Sequence, residues 1–367
     1  MSKGVLHIRS TIGLYGAEQV LLNLATVSDK TNCKIRFFII EGVNDESKGL
    51  RTLLGRLACE VSYIISNSRF DLNVIKKIRE EEKYNTVVHT HDYKSLVLAS
   101  IAFIFTDIKI VHHIHGTLGN TGAEKVYAKL ERFFMRWVSK IITVSNQQKL
   151  DIQKENRLKN KVIQIDNGTA IFDRHIKEKL DSTTFKIVMV ARFTPEKNHK
   201  KAIDIISLLT KKGYSVQLSL LGDGENLPEI KRYVNENNLD HNINFVGFTR
   251  DVKFWIESSH VMMLTSTTEG LPMSMLESMS YGVPIISTPV GEIPNILNKS
   301  NSGWLAENEI EFCSIISTLI DDIDRVYEAG SNAYDYSKKN LSTENQLNKI
   351  LSVYEDITGE IYERCYV

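Results

Sequence analysis

Short apolar runs recur along the chain, and most are followed by polar stretches that contain glycine, proline or histidine. Runs of this length that are rich in valine and isoleucine predict buried strands, and the amphipathic segments between them predict helices. The predicted strands are 5–9, 34–41, 86–90, 109–113, 141–144, 161–165, 186–190, 216–221, 244–247, 261–264 and 283–286. Strands that alternate with helices are typical of α/β proteins with mostly parallel sheets.

Helical spacing of apolar residues predicts the segments between several of these strands. The predicted helices are 17–25, 96–105, 124–140, 274–282 and 343–362, with one more that begins near residue 200. Pro272 stands where the helix before Gly282 begins, because its missing N–H costs nothing in a first turn. Thr343 and Gln346 have the spacing of a capping box, which predicts the start of the last helix.

A polar segment at residues 173–184 lacks apolar periodicity and is predicted to link two domains. The strand-led pattern restarts directly after it. The predicted domains are therefore residues 1–172 and 184–342, each with its own sheet, followed by a terminal helical segment at 343–367. A chain of 367 residues is long enough for two domains of ordinary size.

Composition narrows the class of protein. Hydrophobic residues make up 42% and charged residues 25%, which is typical of soluble globular proteins. No signal sequence is visible before the first strand, and the longest apolar run, 96–105, has about half of the ~20 residues that a membrane span needs. The scattered Cys33, Cys59, Cys313 and Cys365 form no metal or redox spacing. These features predict a cytoplasmic protein without a zinc site.

Charge is distributed unevenly between the two halves. Residues 1–170 hold 25 Lys and Arg against 17 Asp and Glu. The helix predicted at 124–140 carries a basic stripe of Lys125, Lys129, Arg132, Arg136 and Lys140 and an apolar side of Val126, Leu130, Phe133, Phe134 and Trp137. Such a helix is either packed with a solvated basic face, or it contacts an anionic surface such as a membrane. The sequence leaves both readings open.

The segment from strand 261–264 to the helix after Pro272 has the chemistry of a ligand site. A helix that begins at the carboxyl end of a parallel strand directs free amides and a positive dipole end toward a ligand, which suits phosphate. Glu269 and Glu277 flank that position, and carboxylates form charge-assisted hydrogen bonds with hydroxyl groups. Amides that donate hydrogen bonds to phosphate, together with two carboxylates that accept hydrogen bonds from hydroxyl groups, predict a nucleotide-sugar site. One acid would bind the ribose and the other would bind the transferred sugar.

Two cations follow the strand at 186–190. Arg192 and Lys197 lie in the loop Ala-Arg-Phe-Thr-Pro-Glu-Lys-Asn. A nucleoside diphosphate is strongly negative when its bond to the sugar breaks, and fixed cations of the protein can neutralise that charge without a metal. Arginine and lysine at this position therefore predict stabilisation of a departing diphosphate.

Histidines follow two of the predicted strands in the first half. His89 and His91 end the strand at 86–90, and His112, His113 and His115 end the strand at 109–113. Clustered histidines are also found at metal sites, but no HExxH or other ligand pattern is present. The histidines are therefore interpreted as residues that line a cleft.

These motifs together resemble the retaining GT-B glycosyltransferases of family 4, also called glycosyl transferases group 1. The resemblance rests on Glu269-x7-Glu277 within EGLPMSMLE, on Gly282-Val283-Pro284 and on the pair Arg192 and Lys197. It implies an α/β protein of the GT-B class, in which two Rossmann-like domains with mostly parallel sheets face each other across a cleft. It also implies that the terminal helix packs back on the first domain.

The resemblance implies roles for single residues of the second half. Arg192 and Lys197 stabilise the diphosphate, Glu277 holds the ribose, and Glu269 holds the transferred sugar and its developing charge. The remaining donor contacts come from backbone groups of Gly270, Leu271, Pro272, Met273 and Ser274.

Further donor contacts are implied elsewhere in the chain. Gly16 corresponds to the second of two adjacent glycines whose backbone reaches the donor phosphate, and Tyr15 replaces the first. His115 is implied to lie beside the donor sugar. Phe248 and Thr249, after the glycine that ends strand 244–247, are implied to contact the nucleobase.

The predicted activity is transfer of a sugar from a nucleotide diphosphate sugar, expected to be a UDP-sugar, to a hydroxyl acceptor with retention at the anomeric carbon. The acceptor is expected to be a glycan or a lipid-linked intermediate of surface polysaccharide biosynthesis. The resemblance implies that the leaving phosphate oxygen helps to deprotonate the acceptor. No cofactor or metal is expected, since residues 321–324 (Asp-Asp-Ile-Asp) are predicted to lie inside a helix and not in a metal-binding loop.

Two alternatives remain at this point. A non-catalytic nucleotide-sugar-binding module would keep Arg192, Lys197 and Glu277 without turnover. A glycan phosphorylase would need a lysine for pyridoxal phosphate and typically a far longer chain. No nucleic-acid partner is expected, and peripheral contact of the basic first domain with the cytoplasmic face of a membrane is the alternative to a purely cytoplasmic location.

Overall fold

The structure of the protein is a computed structural model that describes residues 4–11, 13–42, 48–57, 59–66, 68, 71–116, 122–172, 183–249 and 251–365. The chain divides into two compact units. One comprises Met1–Gly168 with Ser342–Val367, and the other is Thr169–Leu341. The linker predicted at 173–184 lies outside the described residues except for its last two positions.

Strands and helices alternate through the first unit. Its strands are β1 (Gly4–Thr11), β2 (Ile35–Glu41), β3 (Glu60–Ile65), β4 (Asn85–Thr90), β5 (Lys109–Ile114), β6 (Lys140–Thr143) and β7 (Val162–Gln164). Its helices before the second unit are α1 (Gly16–Val27), α2 (Lys48–Arg56), α3 (Leu72–Glu80), α4 (Tyr93–Ala102), α5 (Gly122–Phe134) and α6 (Asn146–Gln153).

The second unit repeats this alternation. Its strands are β8 (Phe185–Val190), β9 (Val216–Leu221), β10 (Ile243–Gly247), β11 (Val261–Leu264), β12 (Ile285–Ser287) and β13 (Gly303–Leu305). Its helices are α7 (His199–Lys211), α8 (Leu227–Glu236), α9 (Val252–Glu257), α10 (Met273–Ser280), α11 (Ile293–Ser300), α12 (Glu309–Asp321) and α13 (Asp324–Asn340).

Strand order positions the loops that matter for function. Among the described residues the sheets run β3-β2-β1-β4-β5-β6-β7 and β10-β9-β8-β11-β12-β13, with parallel pairing throughout. The order reverses between β1 and β4 in the first unit and between β8 and β11 in the second. Ligands of open parallel sheets bind at the carboxyl ends of the strands beside such a reversal.

Each unit has its own apolar core. Ile8, Val88 and Leu96 are fully buried in the first, and Met263 and Ile286 are fully buried in the second. The strands contribute continuous apolar runs to these cores because helices cover parallel sheets on both faces.

The helix predicted at 124–140 is shorter than its periodicity suggested. Helix α5 ends at Phe134, a 3-10 turn occupies Met135–Trp137, and Lys140 already belongs to β6. The backbone N–H of Ser139 donates to the carbonyl of Ile110 (2.7 Å), which brings the chain into the sheet. The spacing of apolar residues continued through the turn and concealed this ending.

The last helix, α14 (Thr343–Thr358), begins at the predicted residue but differs from its prediction in its N-cap and in its C-terminal end. Ser342, and not Thr343, is the N-cap, because the Ser342 side chain accepts a hydrogen bond from the N–H of Asn345. The helix ends before Tyr362 because Gly359 adopts a left-handed conformation with φ +75°. Within the first unit α14 packs against α1 and β4.

Two further predicted segments change in the structure. The helix predicted at 96–105 ends at Ala102, and Phe105 beyond it is 89% exposed, so this run is buried only in its first part. The aspartates at 321–324 lie at the junction where α12 ends at Asp321 and α13 begins at Asp324, and not inside one helix. Pro272 was predicted in the first turn of α10, but it is the N-cap, one residue before that turn.

Candidate active site

The loop after β8, residues 191–198, is held by glycines of the neighbouring loop after β9. Gly222 has φ +133°, and a Cβ atom there would lie 2.1 Å from the carbonyl oxygen of Ala191. A Cβ atom on Gly224 would lie 2.5 Å from the carbonyl oxygen of Phe193. The Phe193 ring is buried and stacks on His199 with 4.1 Å between ring centroids. Arg192 therefore stands on a loop whose backbone is fixed on both sides.

Replacing Gly222 by alanine is expected to destabilise the protein by at least about 2 kcal/mol, because both the backbone conformation and the contact with Ala191 exclude a side chain. Gly55→Ala is the matched control, since Gly55 lies on helix α2 and a Cβ atom there meets nothing within 4 Å. Urea denaturation measures both. Equal midpoints for the two variants would show that the close approach at Gly222 does not constrain the loop.

The loop after β11 is tied directly to the loop after β8. The hydroxyl of Thr265 donates to the carbonyl oxygens of Lys197 (3.1 Å) and Asn198 (3.0 Å). The backbone N–H of Thr267 donates to the carbonyl of Glu196 (2.8 Å). Since β8 and β11 are neighbours at the strand-order reversal, these bonds join the two segments in which the sequence predicted charged site residues.

Lys197 and Glu269 meet where the two loops join. The Lys197 Nζ lies 2.6 Å from Glu269 Oε1, and the side chains are only 18% and 8% exposed. The hydroxyl of Ser266 donates to the same carboxylate oxygen (2.7 Å). Arg192 lies on the same loop, 3.5 Å from Glu196, with its side chain half exposed. The structure thus brings Lys197 and Glu269 into direct contact, a pairing that no pattern in the sequence predicted.

Glu277 occupies the second turn of α10 in a different electrostatic setting. Burial raises the pKa of its carboxyl to about 7. Burial, followed by the charge of Glu277, raises the pKa of Tyr281 to about 12. Among the described residues none forms an ion pair or side-chain hydrogen bond with the Glu277 carboxylate. A partly buried carboxylate in this state gains most from ligand groups that donate hydrogen bonds.

The segment from Gly270 to Ser274 presents backbone to the site. The side chains of Leu271 and Met273 are buried in the core, and Pro272 caps α10, whose first-turn amides have no partner within the helix. The backbone N–H of Glu292 donates to the carbonyl of Gly270 (2.9 Å). The first-turn amides of α10, from Met273 onward, therefore lack partners within the helix, whereas Pro272 has no N–H to offer.

Phe248 and Thr249 lie farther along the same edge of the sheet. They follow β10, which is separated from β8 by β9. Phe248 is 65% exposed, and the Thr249 hydroxyl accepts a hydrogen bond from the N–H of Asp251 (3.1 Å). The structure does not bring these two residues into contact with Lys197 or Glu269.

The first unit has its own polar cluster at the strand-order reversal. His7 of β1 pairs in register with His89 of β4, and the period of two places His91, His113 and His115 on the same face. His7 Nδ1 lies 2.9 Å from His91 Nε2, and His91 Nδ1 lies 2.8 Å from His115 Nε2. The opposite face holds His112, which contacts Thr90 (2.9 Å) and Glu131 (3.2 Å).

Gly16 begins α1 beside this cluster, directly after Tyr15 as the N-cap. Glu18 is buried and accepts hydrogen bonds from the Arg9 Nε (2.8 Å) and from the N–H of Tyr15 (3.1 Å). A Cβ atom on Gly13 would lie 2.6 Å from the ring of Tyr15. The residue that replaces the first glycine thus covers the loop before α1, and Glu18 with Arg9 fixes where Gly16 begins the helix.

The histidine cluster also has the spacing of a metal site. Ligand atoms of His7, His89 and His91, and those of His91, His113 and His115, lie within 4.8 Å of one another. Two of the N···N contacts in this cluster, His7 Nδ1 to His91 Nε2 and His91 Nδ1 to His115 Nε2, have hydrogen-bond lengths of 2.9 Å and 2.8 Å. That no metal binds here stays a prediction.

Sequence reasoning missed several residues of these clusters. His7, Arg9 and Tyr354 carried no motif, and Glu18 and Ser266 lay in motif segments without a predicted role. The two His-x-His patterns at strand ends were a usable signal, because the period of two places both members on one face. The adjacency of β1, β4 and β5, which brings the histidines together, was not visible in the pattern.

Two α/β units, each with a sheet of parallel strands and with charged residues and helix starts at the strand ends, are typical of enzymes with paired Rossmann-like domains. Residues 171–339 match the family described as Glycosyl transferases group 1, and residues 15–171 match Glycosyltransferase Family 4. The chain belongs to the group 1 glycosyltransferases and is an enzyme that transfers glycosyl groups.

Individual relatives agree with this assignment. An uncharacterized glycosyltransferase of Haemophilus influenzae is 25% identical over 306 residues, which cover 81% of this chain and 84% of that protein. The UDP-Gal:alpha-D-GlcNAc-diphosphoundecaprenol alpha-1,3-galactosyltransferase of Escherichia coli is 28% identical over 295 residues, with 75% and 73% covered.

Solved structures confirm the predicted fold class. The crystal structure of Anabaena Alr3699/HepE in complex with UDP and glucose matches with a TM-score of 0.82 at 18% identity, over 97% of this chain and 100% of that chain. The α/β class with parallel sheets, which the sequence predicted as GT-B, is therefore confirmed. Of the described helices, none combines the length and apolar content that crossing a membrane requires.

Proposed function

We propose that the protein is a retaining glycosyltransferase that uses a UDP-sugar as donor and a hydroxyl group of a glycan or lipid-linked saccharide as acceptor. One observation carries this proposal: Lys197 contacts Glu269 where the loops after β8 and β11 meet, and helix α10 begins shortly after Glu269 in the chain. A cation beside helix amides suits a diphosphate, and the adjacent carboxylate suits sugar hydroxyls.

Each residue has a separate task in the proposed reaction. Arg192 and Lys197 neutralise the diphosphate as the bond from the anomeric carbon to the phosphate oxygen breaks. Glu277 accepts hydrogen bonds from the ribose hydroxyls, while Glu269 holds hydroxyls of the transferred sugar. The leaving phosphate oxygen takes the proton of the acceptor hydroxyl as the new glycosidic bond forms on the same face. No metal is expected to take part, since Arg192 and Lys197 supply the positive charge.

The contributions of Gly16, His115, Phe248 and Thr249 to donor binding stay predictions. The exposed ring of Phe248 supports its predicted contact with the nucleobase, because the ring offers an apolar face at the same edge of the sheet as Lys197. Phe248→Ala tests this contact, because the positive φ of Gly247 and the hydrogen bond to the Thr249 hydroxyl should keep the backbone on either side of residue 248 in place.

The relatives suggest the class of donor and acceptor. The Escherichia coli galactosyltransferase is named for UDP-Gal and for a GlcNAc-diphosphoundecaprenol acceptor, and the Anabaena structure contains UDP and glucose. By analogy we propose a UDP-hexose donor and a lipid-linked intermediate of surface polysaccharide synthesis as acceptor for this chain.

A two-stage assay tests the proposed reaction. A thermal-shift panel of UDP-, GDP- and ADP-sugars first identifies the donor, because a bound ligand raises the melting temperature by mass action. The UDP released with and without lipid-linked acceptor then separates a transferase from a module that only binds the nucleotide sugar. An α-linked product from an α-linked donor, determined by NMR of the anomeric proton, supports retention, and a β-linked product contradicts it.

Helix α5 and the turn after it carry a surface that suits a lipid-linked acceptor. Exposed side chains form a stripe at helical spacing that consists of Lys125, Val126, Lys129, Phe133, Arg136 and Trp137. If the apolar side of this helix were packed, as one of the two readings of the sequence has it, Val126, Phe133 and Trp137 would be buried, but they are exposed. Two other cations are neutralised within the unit, because Arg132 pairs with Asp151 (2.9 Å) and Lys140 pairs with Asp356 (2.6 Å).

We propose that this stripe, Lys125 to Trp137, contacts the anionic face of a membrane, on the cytoplasmic side where UDP-sugars are available. Tryptophan and phenylalanine suit the interface between headgroups and acyl chains, and each lysine or arginine near an anionic surface contributes about 1 kcal/mol. The Phe133 and Trp137 rings contact each other edge to face at 4.7 Å, so they form one apolar patch between the cations.

Replacing both Phe133 and Trp137 by serine is expected to abolish sedimentation with vesicles that contain phosphatidylglycerol, while leaving UDP-sugar binding unchanged. Phe254→Ser is the matched control, because Phe254 is equally exposed but lies on α9 of the second unit. Binding to these vesicles should weaken as salt rises from about 0.1 M to 1 M. Binding that ignores salt, or that survives the double substitution, would contradict this surface.

A further inference from the structure

A chain of hydrogen bonds links the last helix to His115 through the buried histidines of the first unit. The Tyr354 hydroxyl on α14 lies 3.2 Å from His7 Nε2 and 2.6 Å from His89 Nδ1. The chain continues from His7 Nδ1 to His91 Nε2 (2.9 Å) and from His91 Nδ1 to His115 Nε2 (2.8 Å). It therefore uses both ring nitrogens of His7 and of His91.

Every ring in this chain is uncharged near neutral pH. Burial lowers the pKa of His7 to about 3 and holds the pKa values of His91 and His115 well below their ordinary value. Burial also raises the pKa of Tyr354, which keeps its hydroxyl protonated. A neutral imidazole has one N–H donor and one bare acceptor nitrogen, so each contact in the chain fixes the next.

The hydrogen bonds of this chain can run in either of two directions, toward His115 or away from it. The lengths of the two Tyr354 contacts distinguish these directions. A hydroxyl has one proton, and we assign it to the shorter contact, 2.6 Å to His89 Nδ1, because hydroxyl donors form shorter hydrogen bonds than N–H donors. His7 Nε2, at 3.2 Å, must then carry its own proton and donate to the Tyr354 oxygen. His7 Nδ1 is bare and accepts from His91 Nε2, and His91 Nδ1 is bare and accepts from His115 Nε2.

We propose that Tyr354 is a positioning residue that acts through His7 and His91 to fix the ring proton of His115 on Nε2. The Nδ1 of His115 is thereby left as a hydrogen-bond acceptor for a hydroxyl group of the substrate. This Nδ1 is a buried atom that has no hydrogen-bond partner among the described residues. The proposal rests on the predicted role of His115 in the proposed function, and it extends that function to a tyrosine on the last helix of the chain.

The same network explains why a tyrosine lies at this position of α14. Tyr354 is fully buried, where a phenylalanine would pack equally well and would bring no hydroxyl to satisfy. The Tyr354 hydroxyl instead contacts His7 and His89 directly, two of the four histidines in the network. Such an arrangement supplies what a substrate-contacting histidine needs, which is one defined tautomer.

The tautomer is measured directly by NMR of the 15N-histidine-labelled protein, in which a protonated ring nitrogen and a bare one have distinct shifts. We expect His115 in the unmodified protein to be protonated on Nε2. In Tyr354→Phe the acceptor for His7 is lost, so His115 should become a mixture or carry its proton on Nδ1. Tyr362→Phe is the matched control, since Tyr362 packs near Tyr354 but its hydroxyl donates to Glu360.

Activity gives a second readout. Tyr354→Phe is expected to lower kcat by about tenfold, the effect of one lost hydrogen bond, with the KM for the UDP-sugar changed by less than about twofold. His7→Phe breaks the chain without altering Tyr354 and should give the same split, whereas Tyr362→Phe should change neither constant.

The outcomes separate this proposal from the proposed function. The NMR readout needs no substrate, so a protein that transfers no sugar can still show the predicted tautomer and its loss in Tyr354→Phe. A proton on Nδ1 of His115 in the unmodified protein, or an unchanged tautomer in both chain variants, overturns the proposal. One equivalent of bound zinc, found by elemental analysis together with displaced histidine nitrogen shifts, would also overturn it.

Discussion

Replacing Lys197 by alanine is expected to lower the rate of sugar transfer by about a thousandfold, and Arg192→Ala by a similar factor. Both substitutions remove a fixed positive charge from the position where a diphosphate accumulates negative charge. The loss should appear in kcat, because that charge is larger in the transition state than in the bound donor. Single-turnover assays with a saturating donor measure it without interference from product release.

The two cations differ in what else they do, and this gives the prediction a second test. Lys197 neutralises the nearly buried Glu269, so Lys197→Ala leaves a carboxylate without its partner and should destabilise the fold by about 3 kcal/mol. Arg192 is half exposed on its loop, and its removal should cost much less stability. Thermal unfolding of both variants separates loss of charge at the site from loss of fold.

Lys200→Ala is the matched control for Lys197→Ala. Lys200 also pairs with a glutamate, Glu229 at 2.5 Å, but both side chains of that pair are about half exposed. Transfer rate and stability should remain close to those of the unmodified protein. Lys197→Arg tests geometry as well as charge, because a planar guanidinium cannot occupy the position of a compact ammonium group. A Lys197→Ala variant that keeps transfer within tenfold of the unmodified rate would refute the assignment.

Glu277→Gln is expected to weaken binding of the UDP-sugar by about a hundredfold, because two charge-assisted hydrogen bonds to the ribose become neutral ones. The carboxyl has a pKa of about 7, so it is half protonated at neutral pH before the ligand binds. Hydroxyl donors favour the carboxylate. Binding should therefore release a proton, and affinity should rise by about tenfold between pH 6 and pH 8.

The sign of the stability effect is opposite to that of the affinity effect. A folded-state pKa above the ordinary glutamate value means that Glu277 contributes most to stability when it is protonated. That contribution is present below the ordinary pKa and is lost as pH rises through about 7. Without ligand, Glu277→Gln should therefore unfold at a higher temperature than the unmodified protein at pH 8, and the gap should close toward pH 4.

Calorimetric titration at several pH values tests this prediction. A UDP-sugar is the appropriate ligand, because its diphosphate is esterified at both ends and lacks the ionisation near pH 6 of a phosphate monoester. The unmodified protein should show the rise in affinity and the proton release, and Glu277→Gln should show neither. A pH dependence that persists in Glu277→Gln would assign the titration to a different group.

The strands with buried apolar runs were the most predictable elements of the chain. Strands β8, β9 and β11 are runs of buried Val, Ile, Leu and Met, so their pattern marked them within a residue. Strand β3 escaped prediction because it lies at the edge of its sheet, and most of its residues are exposed or half-buried. Strand β13 has only three residues and leaves too short a pattern.

The types of residue in the site could be predicted from the sequence, but their spatial arrangement could not. Residue types and the loop–helix pattern identified Arg192, Lys197, Glu269 and Glu277 as charged groups at strand ends. The contact between Lys197 and Glu269 depends on β8 and β11 being adjacent, and strand order is not written in local spacing. The exposure of Phe133 and Trp137 was likewise hidden, because periodicity shows that a helix has an apolar side and not whether that side is covered.

The most direct test of the central claim is a crystal structure of the protein with its UDP-sugar bound. We expect Lys197 and Arg192 to contact the diphosphate, and the amides at the start of α10 to face it. We expect Glu277 to contact hydroxyls of the ribose and Glu269 to contact hydroxyls of the sugar. A nucleotide bound elsewhere, or a diphosphate out of reach of Lys197 and Arg192, would contradict it.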